Sequence, residues 1–211
     1  MEKGRELLKE GGLDRALELF RRASGEYREL GDSSGEAEAL QCLTEIHLLR
    51  KESDRVVEVY ERMLVLFQEA DNQEGRARVL NNLGLLQARS ARHEKALRCF
   101  EAALGIFDGL GETHHAAEQW GNIGSVYRDM GRYEDALQSY ERALPLFESL
   151  NHREGVADQC TNIAYIHVMN DRLEEARTWY QRALPLYVEE GAERKAGFTR
   201  RNLENLERGT G

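Results

Sequence analysis

Trp120–Phe147, which reads WGNIGSVYRDMGRYEDALQSYERALPLF, is the stretch on which the fold turns. Before the Met130-Gly131-Arg132 joint, Trp120, Ile123, Gly124 and Tyr127 recur three and four residues apart. After it, Ala136, Tyr140, Ala143 and Phe147 keep the same interval. Residues spaced in this way share one face of an α-helix, so the stretch predicts two helices joined by a glycine turn.

The pattern returns every 40 residues without a slip. Ala16, Val56, Ala96, Ala136 and Ala176 fall on it, as do Phe20, Tyr60, Phe100, Tyr140 and Tyr180. Ala23, Met63, Ala103, Ala143 and Ala183 form a third series, with Tyr27, Phe67, Phe107, Phe147 and Tyr187 four residues on. In the other half of the unit, Leu43, Leu83, Ile123, Ile163 and Leu203 share one phase. Small residues let helices approach closely, and the ring four residues later fills the groove between them. In the third unit the helices are expected over about Glu74–Ser90 and His93–Leu110. No stretch alternates as a strand would, so the fold class is all-α, made of repeated helix pairs.

Trp120-x-x-Ile123-Gly124-x-x-Tyr127, followed by Ala136-x-x-x-Tyr140, resembles the tetratricopeptide signature of large, small and aromatic residues. Leu80-x-x-Leu83-Gly84 keeps its start, while Gln87 stands in place of the tyrosine and Ala164 in place of a glycine. The unit exceeds the family's usual length of about 34 residues. In this it is similar to the lengthened repeats of Pins/LGN-type adaptors and kinesin light chains. The resemblance implies a right-handed α-α superhelix, a TPR solenoid of about five helix-pair repeats plus a C-terminal capping helix. The array then covers 1–192, with units over about 1–32 (its first helix shortened), 33–72, 73–112, 113–152 and 153–192. Residues 193–211 form the capping helix and tail.

The shortened first helix is expected to leave Leu13, Leu17 and Phe20 partly uncovered, an apolar end through which copies could self-associate. Gly25, Gly105, Pro145 and Pro185 share one phase and predict a bend in the second helices.

Composition excludes several functions. The formal net charge of -9 disfavours nucleic acid, and Glu193, Glu204 and Glu207 dilute the basic cluster around Arg194, Lys195, Arg200 and Arg201. The charged N-terminus lacks the apolar core of a signal peptide and no long apolar run occurs, so a cytoplasmic protein without a membrane partner is expected. Cys42, Cys99 and Cys160 are too few and too scattered for a disulfide framework or a zinc knuckle, and read as reduced thiols. No phosphate-binding loop, dinucleotide fingerprint or nucleophile elbow is present, so neither a cofactor nor catalysis is expected. His47 and His167 stand where Tyr127 stands and read as packing residues. His114 and His115 are adjacent at a joint, where their side chains should diverge, so no metal site is expected.

The candidate site is a ladder of asparagines at one phase of the first helices: Asn82, Asn122, Asn162 and Asn202. The resemblance implies that these helices line a concave groove, where an amide both donates to and accepts from the backbone of an extended segment. Alternatively, each amide ties its own helix to the next. Arg78, Glu118 and Asp158 lie four positions before the ladder, and Leu85, Ser125 and Tyr165 three after it. Arg89, Asp129 and Met169 lie seven after it. The groove is acidic at Glu118 and Asp158 and apolar at Tyr165 and Met169. A protein or peptide partner carrying Lys or Arg beside a bulky apolar anchor would suit it. The expected function is a non-catalytic adaptor or scaffold; the alternatives are a self-assembling scaffold or a regulatory sensor of a small peptide.

Overall fold

A computed structural model describes residues 1–209. They form eleven helices and no strand. The chain divides into two compact units, Met1–Leu86 and Gln87 onward. The first unit contains α1 (Glu2–Lys9), α2 (Leu13–Leu30), α3 (Ser33–Leu49) and α4 (Ser53–Glu69). The boundary falls within α5 (Gln73–Arg89). The second unit contains α6 (His93–Leu110), α7 (Thr113–Asp129), α8 (Tyr133–Ser149), α9 (Arg153–Met169), α10 (Leu173–Glu189) and α11 (Glu193–Glu207). From α1 to α4, and again from α6 to α11, each helix packs on the next in sequence. Among the described residues no helix is long and apolar enough to cross a membrane.

The periodic residues make the core. Ala136, Tyr140 and Ala143 are wholly buried, as are Ala157, Cys160 and Ile163 on the facing helix. Close approach is needed where a first helix crosses a second: a Cβ on Gly124 would lie 2.6 Å from the Tyr140 ring, and one on Gly4 2.8 Å from the Phe20 ring. Phe20 is consequently 0% exposed and Leu17 only 9%. Leu17 and Phe20 are thus covered, against expectation, while Leu13 is only half-buried, as expected. Even a short α1 covers Phe20, because a glycine at position 4 seats its backbone on the ring.

The joints follow a finer rhythm. A residue with positive φ ends a helix at Gly31, Lys51, Asp71, Ala91, Gly111, Gly131, Asn151, Asp171 and Gly191. Where the next helix is the first of a pair, from α3 onward, it begins with one of two devices. Asp32, Asn72 and His152 accept a hydrogen bond from the backbone N–H three residues on, at Gly35, Gly75 and Gly155. A Cβ on any of these glycines would strike the ring of Tyr27, Phe67 or Phe147 that ends the preceding helix. Where such a cap is missing, a side chain covers the ring instead: His115 stacks on Phe107, and Lys195 lies over Tyr187.

Gly25 and Gly105 lie inside continuous helices with nothing within 4 Å of an added Cβ. Pro145 and Pro185 likewise sit inside α8 and α10 without ending them. His47 and His167 are buried, at 3% and 9% exposure. Burial, aided by the Arg172 charge, lowers the pKa of His167 below the ordinary imidazole value.

Candidate functional site

The second unit brings three first helices, α7, α9 and α11, into one series. Gly121 lets α7 approach α9, since a Cβ there would stand 3.3 Å from Gln159 Nε2. Nearer the C-terminal ends of these two helices, the Arg128 guanidinium lies 5.9 Å from the Tyr165 ring centre. Lys195 on α11 reaches back to Glu154 at 2.9 Å and to both Asp158 oxygens at 2.7 and 2.8 Å on α9.

Asn122, Asn162 and Asn202 are half-buried in this series. Asn202 hydrogen-bonds the Tyr180 hydroxyl; burial nevertheless pushes that phenol up to about 12. At this rung the amide therefore ties α11 to α10. Ser125 donates to the Gly121 carbonyl at 2.9 Å and receives the Tyr140 hydroxyl at 3.3 Å, so it belongs as much to the core as to the surface. Asp129 is exposed and pairs with Arg128. Tyr165 and Met169 leave α9 at 41% and 45% exposure.

Charge is distributed differently from the sequence expectation. Asp158 is not a free acid: besides Lys195, it accepts the Tyr187 hydroxyl at 2.7 Å. Burial first, and then the Asp158 charge, hold the Tyr187 phenol well above its ordinary range. Burial opposes the Lys195 ammonium, yet Asp158 and Glu154 carry it above its ordinary value. Glu118 is exposed and stands 3.8 Å from His114 Nδ1.

In the first unit, Asn82 is exposed and receives a 3.4 Å contact from the Asn81 amide. Arg78 pairs with Glu74 at 2.6 Å, and Leu85 is half-buried. Arg89, the last residue of α5, is exposed.

Adjacent histidines do not diverge as expected. One ligating atom each from His114, His115 and Glu118 lie within 4.8 Å of one another. The cause is packing. His115 is held flat against Phe107, with ring centres 4.8 Å apart and planes at 17°. His114 lies edge-on to it at 5.7 Å.

The family model of the tetratricopeptide repeat matches residues 75–149 and 115–189. No curated protein sequence matches. Among solved structures, BtubC (BKLC) from P. vanneervenii is 18% identical, covering 93% of this chain and 91% of that one, with a TM-score of 0.68. The apo form of RapI is 21% identical over 89% of this chain and 52% of its own, with a TM-score of 0.79. A Rap protein complexed with Competence and Sporulation Factor is 18% identical over 97% of this chain and 60% of its own, with a TM-score of 0.70. The present chain thus spans little more than half of either Rap protein, and at these identities the likeness is one of fold. The repeat matches together span 75–189, more than half of the 211 residues, and the chain belongs to the tetratricopeptide repeat family.

Proposed function

We propose that this chain is a non-catalytic adaptor that binds a peptide or helical segment of a partner protein along the first helices of its second unit. Asn122 and Asn162 would meet the partner's backbone, Tyr165 and Met169 a bulky apolar side chain, and Glu118 a Lys or Arg. The observation that carries this reading is on α9: a tyrosine and a methionine stand in water on the helix that bears Asn162, at 41% and 45% exposure. Aromatic residues and methionine are enriched at protein interfaces, where their burial contributes much of the affinity. Asp158 drops out as a specificity residue because Lys195 already neutralises it, and Asn202 is engaged with Tyr180.

The test compares the natural chain with Asn122→Ala/Asn162→Ala and with Tyr165→Ser/Met169→Ser in pull-downs from source lysate. Any captured protein is then titrated in pure form. Loss of the partner from both variants, with melts close to that of the natural chain, is the expected result. Equal affinity in all three would move the interaction to another surface. An empty lane together with a bound mass in native mass spectrometry would replace the protein partner with a small ligand.

A further inference from the structure

We propose that His114, His115 and Glu118 form a binding site for a divalent late transition-metal ion of the zinc class. His114 and Glu118 are one turn apart on α7 and therefore share a face. His115 would normally point elsewhere, but its stack on Phe107 turns it back toward His114. Three donor atoms within 4.8 Å of one another result. An ion bonded at about 2.0–2.1 Å to each would hold tetrahedral donors about 3.4 Å apart, so closure needs only a small side-chain movement.

The surroundings fit such an ion. Glu112 Oε2 lies 3.3 Å from His115 Nδ1. In the tautomer that donates Nδ1–H to Glu112, Nε2 carries the lone pair a metal needs, and a carboxylate orients the ring from behind. The His152 ring is 4.9 Å from His114, but its Nδ1 accepts the Gly155 N–H at 2.9 Å. Its other nitrogen then bears the proton, which makes His152 a wall rather than a ligand. Phe147, edge-on to His114 at 5.8 Å, forms a second wall. Two imidazoles and a carboxylate suit zinc, nickel or copper better than calcium or magnesium. The positive end of α7 opposes a cation by a factor of about two to five in affinity, and the Glu112 and Glu118 carboxylates act against that field. The three donor side chains are 33% to 47% exposed, so an ion has direct access, and the remaining coordination positions are left for water.

Calorimetric titration of the untagged full chain with zinc chloride near neutral pH tests the assignment. Visible absorption of a cobalt(II) complex reports the coordination geometry. One ion per chain is expected. His114→Ala and His115→Ala should abolish micromolar binding, and Glu118→Gln and Glu112→Gln should each weaken it about tenfold or more. His152→Asn, which keeps a side-chain acceptor for Gly155, should bind as the natural chain does. Circular dichroism verifies that each variant is folded; Glu118→Gln, at an exposed position, keeps the test decisive should a histidine variant melt early. Absence of binding at millimolar zinc, binding insensitive to Glu118→Gln and His114→Ala, or loss of binding in His152→Asn alone would each overturn the assignment.

Discussion

Ala91 and Gly105 occupy each other's preferred environments, and exchanging them tests the backbone reading at constant composition. Ala91 ends α5 with φ at 54°, is exposed, and occupies a left-handed conformation. That conformation costs a non-glycine residue about 1–2 kcal/mol. Glycine would remove this strain, and its greater freedom in the unfolded chain would give back about 0.5–1 kcal/mol, leaving a net gain of about 0.5–1 kcal/mol. Gly105 lies inside α6, where an added Cβ meets nothing within 4 Å. Alanine there gains about 0.5–1 kcal/mol of helix propensity without a clash. Neither position packs against the other, so the effects should add to about 1–2 kcal/mol. That corresponds to a rise in Tm of about 2–8 °C for a chain of this size. Urea and thermal denaturation of the two single variants and the exchange variant supply the measurement. A lower midpoint for Gly105→Ala would refute the reasoning at that site, showing that α6 depends on glycine's flexibility as the shared phase with Pro145 and Pro185 suggested. A lower midpoint for Ala91→Gly would show that the joint carries no strain to relieve.

Two further outcomes concern buried groups. Glu36 is 2% exposed and accepts from Arg62 at 2.7 and 2.8 Å and from Arg28 at 2.9 Å, joining α2, α3 and α4. The Arg62 hydrogen bonds, reinforced by Arg28 against the cost of burial, hold its carboxyl below the usual range. Glu36→Gln should therefore cost about 2 kcal/mol near pH 7. A depressed carboxylate stabilises above its unfolded pKa and loses that contribution as pH falls through the folded one, so the gap between the two chains should be smaller at pH 3 than at pH 7. A gap of equal size at both values in urea titrations would contradict the assignment. At Cys160, 0% exposed, burial pushes the thiol up to about 11. Iodoacetamide should leave it unmodified in the native protein and label it in urea; equal labelling, read by peptide mass spectrometry, would show that α9 opens readily.

The fold was legible because its determinants are local and repeated. Residues such as Ala136, Tyr140 and Ile163 recur at a helical interval, and all three are buried. The expected helices of the third unit differ from those found by one residue at each end of α5 and by none in α6. The left-handed joints were only half legible. Glycine announces Gly111 and Gly131, but Lys51, Ala91 and Asn151 adopt the same conformation without a residue that requires it. The capping device carried a signal that could have been read: Asp32, Asn72 and His152 each precede a glycine by three residues. The convergence of His114 and His115 carried none, because it depends on Phe107 at the end of the preceding helix.

The surface chemistry was hidden for a different reason, one that the period itself explains. In a stacked repeat, many surface side chains meet partners roughly one unit away in sequence. Long-range ion pairs here indeed join Arg5 with Glu38, Arg50 with Asp14, Glu148 with Arg182, Arg153 with Glu189, and Asp158 with Lys195. An acid therefore remains available only when the positions about one unit before and after it carry no cation left uncommitted by its own helix. Asp158 fails this condition, because Lys195 stands 37 residues on. Glu118 meets it: the residue 37 later is Gly155, and Arg78, one whole period earlier, pairs with Glu74 on its own helix. Charge bookkeeping over one period thus separates the two acids that composition alone left equivalent. It selects Glu118 as the one whose charge the repeat does not consume, whether a basic partner side chain or a metal ion then answers it.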